Sequence, residues 1–121
     1  MLKNVLILGN NWELLRTREL VLASAGLNVS AVYGFVEFVQ SIEDQDCDLL
    51  IICHSLSAEE QNRAVQLIRQ RVRLEPILVL TKAQRDTAVE HCEMMSASDG
   101  PAKLIAKSRM MLQASSSTPQ D

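Results

Sequence analysis

The chain lacks the features that would commit it to a membrane, to nucleic acid or to a covalent framework. No apolar run approaches the ~20 residues that a bilayer-spanning helix needs. Val5-Leu6-Ile7-Leu8 is too short for the core of a secretory signal and runs straight into Gly9-Asn10-Asn11-Trp12-Glu13. A cytoplasmic location is therefore expected, with no membrane partner. Lys and Arg number 12 against 15 Asp and Glu, a net charge of −3. With no basic excess to hold a polyanion, nucleic acid is not an expected partner. Three cysteines, Cys47, Cys53 and Cys92, fall at no repeating spacing. That argues against a disulfide framework or a zinc cage. His91 and Cys92 are adjacent, which is poor geometry for one metal. There is no Gly-rich phosphate-cradling loop and no visible nucleophile–base pair, so an enzyme is not expected.

What is present is the composition of an ordinary soluble domain, 47% hydrophobic and 22% charged. At 121 residues there is room for one core, without internal repeat or linker. The domain is expected over residues 1–112. Residues 113–121, Gln-Ala-Ser-Ser-Ser-Thr-Pro-Gln-Asp, have nothing to bury and read as a disordered tail. The organising stretch is Asp48-Leu49-Leu50-Ile51-Ile52-Cys53-His54-Ser55. An unbroken apolar run headed by an acid and closed by polar residues suits a strand buried on both faces of a parallel sheet. Ligand chemistry in such sheets lies beyond the carboxyl ends of the strands, which is where Cys53, His54 and Ser55 fall.

The other elements follow by periodicity. Residues 4–8 read as a buried strand, and Asn10 or Asn11 can cap the next helix. Its apolar stripe would be Leu14, Val21, Leu22 and Ala25, ending at Gly26. Arg18 falls in that stripe and must run its stem along the core edge or find an acid. Leu27–Val32 alternates as a strand nearer a sheet edge should. Phe35, Phe38, Val39 and Ile42 mark a second helix. Ser57-Ala58-Glu59-Glu60 is a capping box opening a third, with Ala64, Val65, Ile68 and Val72 inward. Its arginines, 63, 69, 71 and 73, suit a solvated face. Pro76–Thr81 is another buried strand, residues 82–90 hold at most a short helix, and 92–96 is the weakest strand, with Met94 and Met95 in the core. Asp99-Gly100-Pro101 can cap and start a last helix burying Leu104, Ile105, Ser108, Met111 and Leu112. Strands alternating with helices in this way imply a doubly wound parallel α/β sheet.

Three stretches resemble the receiver domain of bacterial response regulators, the CheY-like group. They are Ala25-Gly26-Leu27-Asn28-Val29, Asp48-Leu49-Leu50-Ile51-Ile52 and Pro76-Ile77-Leu78-Val79-Leu80-Thr81. The resemblance covers roughly residues 3–112. It implies a flavodoxin-like (βα)5 fold with strand order 2-1-3-4-5, here with a shortened helix over 82–90. It also implies a site where an acid pair and a third, phosphoaccepting acid hold Mg²⁺ while a hydroxyl and a lysine bind the phosphoryl oxygens.

Carried over by position, the acid pair falls on Gly9 and Asn10, and the phosphoacceptor on Cys53. The hydroxyl is Thr81, retained, and the lysine position falls near Ala97 and Ser98. A pocket so altered offers Mg²⁺ little, so no metal and no cofactor is expected. The resemblance thus implies a stand-alone degenerate receiver in a two-component or phosphorelay-type pathway. It would act through a protein partner, including itself, by the face of residues 82–90, the 92–96 strand and the last helix. Met110, pointing away from the buried stripe, is the candidate contact, and Leu20 is similarly placed. Alternatives are a thiol sensor or small-ligand binder using Gly9, Asn10 and Cys53, and phosphotransfer through His54 or Ser55. Strand alternation puts Cys53 and His54 on opposite sides, against a catalytic pair. Trp12, the one tryptophan, is expected on the loop beside the pocket.

Overall fold

A computed structural model describes residues 3–44, 47–70, 76–82 and 92–116. In chain order they form β1 (Asn4–Gly9), α1 (Trp12–Ser24), β2 (Asn28–Tyr33), α2 (Phe35–Asp44), β3 (Leu49–Ile52) and α3 (Ala58–Gln70). Then come β4 (Ile77–Thr81), β5 (Glu93–Ser96), a 3-10 turn (Ala97–Asp99) and α4 (Pro101–Ser116). The five strands are parallel and ordered β2-β1-β3-β4-β5, the order the resemblance implies. The helix expected over 82–90 lies outside the described residues apart from Lys82, as do His91, Val72 and the arginines at 71 and 73.

Pleat alternation divides the sheet's side chains between two cores. Leu6, Leu8, Leu50, Ile52, Ile77 and Val79 pack with Phe38 and Ile42 of α2 and Ala64, Val65 and Ile68 of α3. Val5, Ile7, Leu49, Ile51, Leu78 and Leu80 pack with Leu15 and Leu22 of α1 and Leu104, Met111 and Leu112 of α4. β3 is buried along its whole length, as its uninterrupted apolar run requires. Met94 and Met95 of the edge strand β5 pack on opposite cores, each only partly buried.

The helix ends follow local chemistry. Asn11 caps α1, its side-chain oxygen accepting from the Leu14 N–H at 3.1 Å. At the other end, Gly26 at φ 88° and the bonds Gly26 N→Ala23 O and Leu27 N→Leu22 O form a Schellman stop. Ser57 and Glu60 exchange their bonds at 3.1 and 3.0 Å as a capping box on α3.

Some expectations are corrected. Leu15, 1% exposed, takes the core place expected of Leu14, which is 36% exposed. Apolar residues on several sides of α1 make its stripe ambiguous. Asp99 does not cap α4. Ser96 and Asp99 instead make a capping box around the 3-10 turn, and α4 begins at Pro101. That helix continues to Ser116, past residue 112 where the apolar pattern stops. Trp12 is not on a loop but opens α1, its ring edge-on to Tyr33 at 5.7 Å.

Candidate functional site

The carboxyl ends of β1, β3 and β4 converge at the rim where the sequence places its site residues. Gly9 closes β1 and is buried, while Asn10 is exposed. The chain leaves β3 after Ile52 and turns through Cys53, His54 and Ser55. Cys53 stays in register with the strand: its N–H donates to Leu8 O at 2.8 Å and its side chain enters the α1/α4 core. Ser55 folds back across β1, its Oγ accepting from the Asn10 N–H at 2.7 Å.

This packing explains why position 9 is glycine. A Cβ there would lie 3.2 Å from Leu15 Cδ1, 3.5 Å from Ser55 Oγ and 3.6 Å from Cys53 Cβ. The constraint is space, since a larger side chain would have to displace both Leu15 and the Ser55 hydroxyl. Thr81 is buried at the end of β4 and donates to Met95 O at 3.4 Å, which engages its hydroxyl with backbone. Ala97 begins the 3-10 turn after β5. Gly9, Asn10, Cys53 and Thr81 thus lie at the strand ends, and Ala97 lines a separate cleft between α1 and α4. Met110 and Leu20 are exposed on α4 and α1, 54% and 57%. Among the described residues no three His, Cys, Asp or Glu side chains gather as metal ligands.

Two residues shape this rim without having been expected there. Gln61 is buried on α3, and its Nε2 donates to Cys53 O and Leu80 O, both at 3.0 Å, tying the ends of β3 and β4 together. The sequence carried a signal for it, because Gln61 lies on the helical stripe of Ala64, Val65 and Ile68. Among the described residues Arg18 finds no acid. Its Nη2 donates to His54 Nδ1 at 3.4 Å, and its positive charge also acts on the Cys53 thiol. Its Nη1 is buried with no partner among the described residues, an arrangement that costs about 1–3 kcal/mol when nothing fills it.

Arg18 therefore joins two side chains that strand alternation separates. His54 lies on the α3 side, beside Leu56, Ser57 and Lys82, yet reaches the cation across the strand end. Burial pushes the Cys53 thiol above its ordinary 9.0, and the Arg18 charge and hydrogen bond only partly oppose this. The thiol is thus held protonated. Burial likewise depresses His54 below 6.5, with the charges of Arg18 and Lys82 acting in the same direction. Neutral His54 accepts at Nδ1 and carries its proton on Nε2.

No protein-family model matches the sequence, and no curated protein matches it either. Solved structures do match. A two-component response regulator from Clostridium difficile superposes with a TM-score of 0.80 at 19% identity, over 92% of this chain and 96% of that one. The signal receiver domain of an HD domain-containing protein from Pseudomonas fluorescens gives 0.83 at 14%, over 97% and 99%. A CheY-like receiver domain from Methylobacillus flagellatus gives 0.79 at 14%, over 92% and 99%. With the strand order, the two helical layers and near-complete coverage in agreement, the chain has the CheY-like fold of response regulator receiver domains.

Proposed function

We propose that this chain is a receiver-like signalling domain that does not take a phosphoryl group and acts through contact with another protein. The observation that carries the reading is the composition of the rim. Gly9, Asn10 and Cys53 offer a hydrogen, an amide and a buried protonated thiol where Mg²⁺ would require oxygen anions. The residues do not fit the metal. The gap beside Gly9 is already filled by Leu15 and the Ser55 hydroxyl. Thr81 is the one phosphoryl-binding group that the resemblance retains, and its hydroxyl is engaged by Met95 O.

The two alternative chemistries are disfavoured by the same geometry. Thiol sensing needs a thiolate, and burial opposes ionisation of Cys53 more than Arg18 promotes it. Ser55 is held by the Asn10 N–H, and His54 Nδ1 is occupied by Arg18. Met110 is the candidate contact on α4, with Leu20 on α1.

Trp12 lies exposed at the rim against Tyr33 and reports on it directly. Titrating the protein with Mg²⁺ and beryllofluoride should leave Trp12 emission without a saturable change. A saturable, Mg²⁺-dependent change would contradict the proposal. Met110→Glu should weaken association with the partner, or with a second copy, while leaving the far-UV circular dichroism unchanged.

A further inference from the structure

The turn that leaves β3 is tied to its surroundings by several bonds, one of which differs in kind from the rest. Cys53 N–H donates to Leu8 O, Ser55 Oγ accepts from Asn10 N–H, and Gln61 Nε2 donates to Cys53 O. None of these groups gains or loses a proton near neutral pH. The remaining tie runs from Arg18 Nη2 to His54 Nδ1, 3.4 Å apart, and crosses the strand end from α1 to the α3 side. It exists only while Nδ1 keeps its lone pair, because a protonated imidazole has two donors and no acceptor.

Arg18 has little else to hold it. Nη1 is buried with no partner among the described residues, and the Cys53 thiol on which its charge acts is protonated and a weak acceptor. The charges that act on His54 are of one sign. Arg18 approaches it from α1 and Lys82 from the end of β4. Among the described residues no carboxylate lines the pocket that His54 shares with Ser57, Gln61 and Thr81. Of the acids in the first turn of α3, Glu60 is bonded to the Ser57 N–H and Glu59 is exposed. A proton on His54 therefore meets two cations and removes the acceptor of one of them. Arg18 also lines the open cleft between α1 and α4, which gives a released guanidinium a path to water.

We propose that Arg18 and His54 form a proton-operated latch: neutral His54 holds the guanidinium at the strand end, and protonated His54 expels it towards the cleft. The change is local. The bonds of Cys53, Ser55 and Gln61 do not titrate, so the backbone of the turn stays in place while the two side chains part. The rim then presents Arg18 and His54 as two cations beside Lys82, where at neutral pH one is held in and the other is uncharged. The latch operates whether or not the rim takes a phosphoryl group.

The test uses the unaltered full chain, isotopically labelled, and follows the Arg18 guanidinium protons and both His54 nitrogens by NMR as the pH is lowered through the His54 titration. The chain has two histidines, and the resonances lost in His54→Gln identify the relevant one. Neutral His54 should carry its proton on Nε2. Solvent exchange of the Arg18 guanidinium, referred to the exposed Arg16, should rise about tenfold with the midpoint of His54, the factor expected for loss of one charge-assisted hydrogen bond. His54→Gln keeps an acceptor that does not titrate and should leave Arg18 held at every pH. His54→Phe removes the acceptor and should leave Arg18 released at every pH. The proposal is overturned if Arg18 exchange does not follow His54, if neutral His54 carries its proton on Nδ1, or if either variant retains the pH dependence. A cooperative collapse of the whole amide spectrum at the same midpoint would equally overturn it, because the event would then be unfolding.

Discussion

The interior of the sheet and its carboxyl rim follow different rules. In the interior, every position of β3 and β4 is buried and apolar until the closing Thr81, and the strand order is that of the receiver fold. At the rim the same scaffold ends in glycine, amide, thiol, imidazole and hydroxyl, bridged by a cation from α1. Packing thus accounts for the frame and not for the groups mounted on it. A sheet buried on both faces tolerates few exchanges, because each buried position touches many others. A rim open to solvent is under less packing constraint.

The largest expected effect lies in the interior. Ile51→Ala, at a fully buried position of the central strand, should lower unfolding stability by about 2–5 kcal/mol in a urea titration. Equal tolerance of the same truncation at β3 and at the rim would break the contrast. At the boundary between the regions, Gly9→Asp should cost about 1–3 kcal/mol, because its Cβ meets Leu15 and Ser55. An unchanged denaturation midpoint would mean that the rim has room for a carboxylate after all.

Titration sharpens the comparison. The folded pKa of His54 is depressed, so its contribution to stability is fully present above about pH 6.5. It declines as falling pH protonates the unfolded chain and then approaches the lower folded value. Cys53 has the opposite sign: its folded pKa is raised, so stability declines above pH 9 as the unfolded thiol ionises first. His54→Gln should flatten the acid side of the profile only. Arg18→Met should move the imidazole titration, followed by NMR, up towards 6.5 by removing a neighbouring cation. An unmoved titration would show that Arg18 does not hold the imidazole.

The smallest effect is expected on α4. Ser108 is fully buried and its hydroxyl has no partner among the described residues, so Ser108→Ala should stabilise the protein by about 1 kcal/mol. Destabilisation would indicate that this hydroxyl is satisfied in solution.

Much of the frame was legible because burial on two faces leaves an unmistakable apolar run at Leu49–Ile52 and at Ile77–Leu80. Caps built from near neighbours, such as Ser57 with Glu60, were equally readable. The errors arose where a local pattern had two solutions. Leu14 and Leu15 are both leucines on a helix with a blurred stripe, and it is packing into the α1/α4 core that takes Leu15 in. Asp99 could cap a helix or close a turn, and Ser96 settled it. The rim residues were readable as polar groups at the strand ends, but not as an assembly. Arg18 and His54 are far apart in sequence, and nothing local to either signals that α1 delivers a guanidinium to the end of β3.

The most direct test of the central claim is intact-mass analysis of the native chain after incubation with acetyl phosphate and Mg²⁺ at neutral pH. The account predicts an unmodified mass. A stoichiometric phosphoryl adduct, mapped to Cys53, His54 or Ser55, would contradict it.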